Sequence, residues 1–198
     1  MSRHQPQQLI LASNSPRRRE LLTEAGYLFD VVAPDPTCES GPRPGESAEH
    51  LVARLATEKA SHVAELLQYA NSPLILAADT VAECVGQILG KPDDRDHARQ
   101  ILKQLRGKIH RVLTGICLWQ LPSGLRRTAI DVTTLEMTSL SNEEIETYLE
   151  SGLWRGKAGA FGYQDGIDWV RIVNGSPSNV VGLPMELLSV MLREFTNE

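Results

Sequence analysis

A four-residue apolar run, Leu9 to Ala12, breaks at once into Ser13-Asn14-Ser15-Pro16 and then three consecutive arginines. A run that short and that apolar, Leu9 to Ser13, predicts a buried strand. Ser15 suits an N-cap and Pro16 the first helical position, so a helix is expected from Pro16 to Ala25, closed by Gly26. Arg17, Arg18 and Arg19 then crowd a first turn where the helix dipole disfavours cations by a few tenths to ~1 kcal/mol each. An anion would offset that cost. Backbone N–H groups at a helix start, with the hydroxyls of Ser13 and Ser15 and guanidinium forks, make a phosphate cradle. The plain alternative is a solvated basic turn paired with Glu20 and Glu24.

The rest of the chain continues a mixed α/β pattern. Leu28 to Ala33 reads as a second strand, and Pro34 to Gly45, with four prolines and two glycines, as a loop or hinge. A long helix is expected from Ala48 to Leu67, where Leu51, Val52, Leu55, Ala56, Ala60 and Val63 fall at helical spacing. Leu74 to Ala78 reads as a short buried strand ending in Asp79, and Val81 to Leu89 as a hairpin or a strand with a turn at Gly86-Gln87. Asp94 to Arg106 reads as a helix ended by Gly107. Two β-prone segments, Arg111 to Leu121 and Leu125 to Met137, flank Pro-Ser-Gly at 122 to 124, a hairpin signal. Ser141 with Glu144 makes a capping box for a helix ending near Gly152. After the glycine-rich stretch Gly156 to Gly166 come a strand at Ile167 to Val173, a loop at Asn174 to Asn179 and a last helix from Pro184 to Phe195.

Composition narrows the class. At 198 residues, 41% hydrophobic and 23% charged, the chain is a globular protein with a substantial core, and one domain over residues 9–198 is expected. A net charge of −5 argues against a general nucleic-acid-binding surface, so any anion must be gripped by a local cluster of cations. Residues 1–8 are polar, with no apolar signal core, and are expected as a flexible tail. No stretch reaches membrane-spanning length. Cys38, Cys84 and Cys117 are odd in number and far apart, which fits packing thiols in a reduced cytoplasm, and the scattered histidines make a zinc centre improbable.

Other polar residues stand at telling positions. Lys59 continues the apolar stripe of its helix, so it either snorkels to water, the commoner outcome, or reaches into a polar cleft. Asp79-Thr80 follows a buried run, at the strand end where α/β proteins place their sites, or else it caps a turn. Lys91 sits in a confined turn between Gly90 and Pro92, aimed at a phosphate or exposed. Glu39, or Asp35, in the proline-rich loop offers a second carboxylate. Lys157 precedes Ala158-Gly159-Ala160, small residues that admit close backbone approach, and Gln164 has donors and an acceptor suited to a pyrimidine edge or to plain surface hydrogen bonding.

Together, the segments LILASNSPRRRELL (9–22), ESAEHLVARLATEKA (46–60), AADTV (77–81), ILGKP (88–92), HRVLTG (110–115), KAGAFGYQ (157–164) and NVVGLP (179–184) resemble the Maf family of nucleotide pyrophosphatases in order and spacing. The resemblance implies an inosine-triphosphatase-like α/β fold: a mixed sheet flanked by helices, elongated, with two lobes and a central cleft. It implies hydrolysis of a nucleoside triphosphate between the α- and β-phosphates with a divalent cation, magnesium or manganese, as a house-cleaning activity. By motif, Asp79 matches the catalytic acidic residue and Glu39 the second carboxylate, the two being the expected metal ligands. Ser13, Arg18, Lys59 and Lys91 match the phosphate-facing polar set.

Within the family, the branch acting on dTTP and UTP carries arginine after S-x-S-P, threonine after the catalytic Asp, and glutamine in the KAG segment. Arg17, Thr80 and Gln164 agree with all three. The 7-methyl-GTP branch tends to carry tryptophan, glutamine and glutamate there. The chain departs from the pyrimidine branch at Gly156, where an acidic residue is usual, and at Asp165, where glycine is common. Trp154-Arg155 is also unusual, and the loop at 34–39 is one residue longer than in some relatives. The same reaction on 7-methyl-GTP or another modified or purine nucleotide, and a nucleotide-binding regulator of septum formation without catalysis, are the alternative readings. A homodimer is compatible with the resemblance, although no segment shows an interface stripe.

Overall fold

The computed structural model describes residues 8–67 and 72–196. Of the expected tail only Gln8 falls within them. The strands form one seven-stranded mixed sheet in the order β2-β1-β3-β5-β6-β7, with β4 paired to β3, as the expected fold class requires. Strand β1 (Leu9–Ala12) lies parallel to both β2 (Phe29–Val31) and β3 (Leu74–Cys84). Helix α1 (Pro16–Glu24) connects β1 to β2, and α2 (Ala48–Leu66) lies between β2 and β3. These are the helical crossovers that parallel pairing demands.

Beyond this parallel part, β4 (Gln87–Leu89) folds back antiparallel on β3 through Val85 and Gly86, both at positive φ. Helix α3 (Arg95–Leu105) precedes the long strands β5 (Ile109–Gln120) and β6 (Arg126–Met137). Their turn closes with the Gln120 N–H on the Leu125 carbonyl at 2.8 Å. Helix α4 (Asn142–Ser151) carries the expected reciprocal capping box of Ser141 and Glu144 and ends at the left-handed Gly152. Strand β7 (Val170–Asn174) is antiparallel to β6, and α5 (Pro177–Val181) and α6 (Met185–Thr196) complete the chain.

Three expectations need correction. Strand β3 does not end at Asp79 but runs through it to Cys84, because Thr80 and Val81 are β-prone and Ala82, Glu83 and Cys84 pair with residues 87–89. The last strand starts later than Ile167, at Val170. The span expected as a loop at 174–179 contains the start of α5, with Pro177 at the helix's first turn.

The described residues divide into two compact units: 8–67, 72–79, 115–130 and 185–196 make the first, and 80–114 with 131–184 the second. The first buries Ile10 and Ala12 of β1, Ala56, Ala60 and Val63 of α2, and Ile75 and Ala77 of β3. Gly115 is required there: a Cβ on it would stand 2.5 Å from the Val52 carbonyl oxygen of α2. The second unit packs α3 and α4 on Val112, Leu135 and Met137, with Tyr148, Phe161 and Trp169 forming an aromatic cluster at centroid spacings of 5.2–5.7 Å. No described helix is long and apolar enough to cross a membrane, and Cys38, Cys84 and Cys117 are free thiols.

Candidate active site

In the first unit, five of the expected residues converge. Ser13 follows β1 directly and is buried. Its Oγ accepts from the Ser15 N–H at 3.2 Å and from the Arg18 guanidinium at 3.3 Å. Ser15 therefore occupies the N-cap position of α1 without a side-chain capping bond, and Ser13 serves the turn instead. Arg18 is buried one turn into α1. Burial pushes its guanidinium below the ordinary arginine range, and the negative charges of Asp79 and Glu39 pull it back up. It stays a cation. Arg17, half-buried, lies beside it in sequence and opposes its charge.

Lys59 is placed by α2. The stripe that buries Leu55, Ala56 and Ala60 turns its stem inward, so it does not snorkel. Its ammonium pairs with Glu39 at 3.1 Å and, more closely, with Asp79. Only 8% of the Lys59 side chain and 12% of that of Asp79 is exposed, against 37% for Glu39. A lysine at that depth requires its counter-charges. Asp79 owes its position to register. The last β1–β3 pair is Ala12 with Ala77, so β1 stops two residues short of Asp79 and leaves that carboxylate beyond its carboxyl end. The rule for α/β sites thus applies through β1 rather than through β3. Asp35, the other loop carboxylate, is used locally: it accepts from both the backbone and hydroxyl of Thr37 and caps a 3-10 turn, Pro36–Cys38.

The cluster thus holds Arg18 and Lys59 against Glu39 and Asp79, two cations and two carboxylates, with little water around three of the four. The donor set suits a hard divalent cation, because two carboxylates already converge on a positive group. Among the described residues no three His, Cys, Asp or Glu side chains gather as a ready metal cage. Glu39 and Asp79 are the carboxylates of this cluster that could hold such a cation.

The remaining expected residues belong to the second unit. Thr80 shares a hydrogen bond of 2.9 Å with Thr114, whose Oγ1 donates to the Asn179 carbonyl at 3.2 Å. Asn179, wholly buried, donates to the Val112 carbonyl and to Thr133. Thr114 and Asn179 were missed as supports of Thr80, although both lie in the matched segments 110–115 and 179–184. Lys91 is exposed in its turn, and the preceding Gly90 carbonyl accepts from the Gly159 N–H at 3.1 Å, tying the GKP and KAG segments together. Lys157 is engaged by Asp165, whose other oxygen accepts from the Tyr148 hydroxyl at 2.8 Å. Gln164 is exposed on the 3-10 turn Tyr163–Asp165.

A mixed sheet of this order, with a cation–carboxylate cluster just past its first strand, places the chain among the α/β proteins, and the chain belongs to the Maf-like protein family, which it matches over residues 8–195. It is similar to the dTTP/UTP pyrophosphatase of Rhodopirellula baltica, 49% identical over 193 residues that cover 96% of this chain and 83% of that protein. The dTTP/UTP pyrophosphatase of Bdellovibrio bacteriovorus is 40% identical over 94% of this chain and 98% of its own. That of Brucella abortus is 43% identical over 90% and 86%.

Proposed function

We propose that this protein hydrolyses nucleoside triphosphates, dTTP and UTP foremost, to the nucleoside monophosphate and diphosphate. The observation that carries the reading is the convergence of Ser13, Arg18, Lys59, Glu39 and Asp79 in one largely buried cluster. Membership of the family and the names of the similar proteins support it.

In the proposed reaction, water forms a bond to the α-phosphorus and the bond to the bridging oxygen breaks, with diphosphate leaving on that oxygen. Arg18, Lys59 and the adjacent Arg17 neutralise phosphate charge that would otherwise repel the incoming water. Ser13 orients Arg18, and Ser15 presents its hydroxyl at the helix start. Asp79 and Glu39 divide two tasks, taking the proton of the attacking water and holding a magnesium or manganese ion. When bound, that ion supplies further charge neutralisation. Most of the protein's work in such transfers is positioning and electrostatics. A catalytic role for Lys91 in neutralising the triphosphate, and substrate-binding roles for Thr80, Lys157 and Gln164, belong to the same proposal, with Gln164 reading the pyrimidine edge.

The test is diphosphate release from dTTP, UTP, CTP, 7-methyl-GTP and ITP, with magnesium or manganese. Preference for dTTP and UTP is expected. Preference for 7-methyl-GTP or ITP would move the substrate and keep the reaction. Binding of triphosphate without diphosphate release would replace the enzyme by a nucleotide-binding regulator. Light scattering of the same preparation reads out whether a homodimer forms.

A further inference from the structure

One charged network lies outside the proposed machinery. Arg54, on α2 and five residues before Lys59, has a side chain only 14% exposed. Its guanidinium donates a fork to Glu46, from Nε at 2.7 Å and from Nη2 at 2.6 Å. The same side chain reaches the loop backbone, donating to the Ser40 carbonyl and the Gly41 carbonyl, each at 3.1 Å. It also touches the Ser40 hydroxyl at 2.5 Å and Glu58 at 3.0 Å. Glu58 in turn accepts from the Ser40 N–H at 3.1 Å and from its hydroxyl at 2.9 Å. Every polar group of Ser40 is therefore held by α2. Ser40 is the residue directly after Glu39.

This arrangement meets a specific need. Glu39 must be delivered to Lys59 from a loop that carries four prolines and no strand or α-helix of its own, and a third of its side chain faces water. A loop of that kind is loose unless something ties it down. A planar guanidinium with five donors in fixed directions can tie several acceptors at once, which a lysine cannot. The tie is electrostatically strong: the fork from Arg54 holds the Glu46 carboxyl down at about 2, against an ordinary 4.5.

We propose that Arg54 is a positioning residue, pinning the 39–46 loop to α2 and thereby setting where the Glu39 carboxylate stands relative to Lys59. The inference rests on the reading above only in that Glu39 serves turnover. Arg54 touches none of the reacting groups and acts through Glu39.

Arg54→Ala is expected to lower kcat about 10-fold with KM for dTTP within about twofold, since a misplaced group costs rate more than binding. Arg54→Lys keeps the charge, loses the fork and behaves alike. Glu39→Gln is slower still, and in single-turnover assays Arg54→Ala adds nothing further in the Glu39→Gln background. Hydrogen exchange is faster at 39–46 in Arg54→Ala and unchanged across β1 and β3. Wild-type kcat in Arg54→Ala, effects of Arg54→Ala and Glu39→Gln that multiply, or exchange that quickens throughout the first unit would each overturn the proposal. If the wild-type protein releases no diphosphate from any nucleotide, the functional reading fails. The exchange pattern then still decides the tether.

Discussion

Each unit of the molecule contains a nearly buried lysine paired with a carboxylate, and the two pairs are built on opposite stoichiometries. In the first unit one ammonium, Lys59, is shared by two acceptors, Glu39 and Asp79, and one of those comes from a half-open loop. In the second unit one carboxylate, Asp165, is shared by two donors, Lys157 and Tyr148. Burial, and then the bond to Asp165, push the Tyr148 hydroxyl above its usual range, so it remains a donor. Two carboxylates on one ammonium keep lone pairs with which to hold a cation or take a proton. Asp165, by contrast, already has a donor on each of its oxygens. On the proposed function the first cluster serves the chemistry, and the second holds the segment from Lys157 to Asp165 in place.

The sharpest way to break the comparison is to neutralise the two aspartates separately. Asp79→Asn should lower kcat for diphosphate release by about 1,000-fold or more, the scale of losing a general base or its equivalent. Its melting temperature should fall as well, because the buried Lys59 ammonium then keeps only Glu39 as a paired carboxylate. Asp165→Asn should cost less than about 10-fold in kcat, because it loosens a support rather than removing a reacting group. Equal losses would erase the distinction between site and clamp.

How much of this was legible in advance differs between the two clusters. Lys59 was visible as a cation on an apolar stripe, and Asp79 as a carboxylate after a buried run, because both signals are local periodicities. That Lys59 turns inward was not, since snorkelling satisfies the same pattern and only the pairing with Asp79, twenty residues away, decides between them. In the second unit Lys157 and Gln164 were singled out, but Asp165 was noted only as a departure from the family pattern. Tyr148 carries no signal of its own in the sequence, as a tyrosine on an amphipathic helix is ordinarily core. The error at β3 has a related cause. A carboxylate in a buried run was read as the end of a strand, whereas Asp79 is tolerated mid-strand because β1 stops short and Lys59 meets it.

Smaller effects refine the picture. Gly115→Ala should destabilise the protein by about 1–3 kcal/mol in denaturant melts, the usual cost of overpacking, because the new methyl meets the α2 backbone. Tyr148→Phe should cost about 1.5–3 kcal/mol, one hydrogen bond to a carboxylate, with kcat for dTTP unchanged. A large kcat loss in that variant would make the clamp part of the chemistry. The least effect is acidic. Glu46 is held down to about 2 from 4.5, so it contributes stability in full above pH 4.5 and loses it as the pH falls toward 2. Melting temperatures of Glu46→Gln should therefore fall less steeply over that window than those of the wild type.

Sequence alone determined the local pieces: a strand running into an arginine-rich helix start, the α2 stripe that includes Lys59, the Ser141–Glu144 capping box, and the order of motifs that marks the family. Each depends on residues a few positions apart, within reach of propensity and periodicity. Tertiary structure decided which charges meet. Lys59 finds Asp79 through the register of β3 on β1, and Glu39 through a loop tied back to its helix by Arg54. Such pairings are set by where separate elements stop against one another, and no spacing along the chain encodes that.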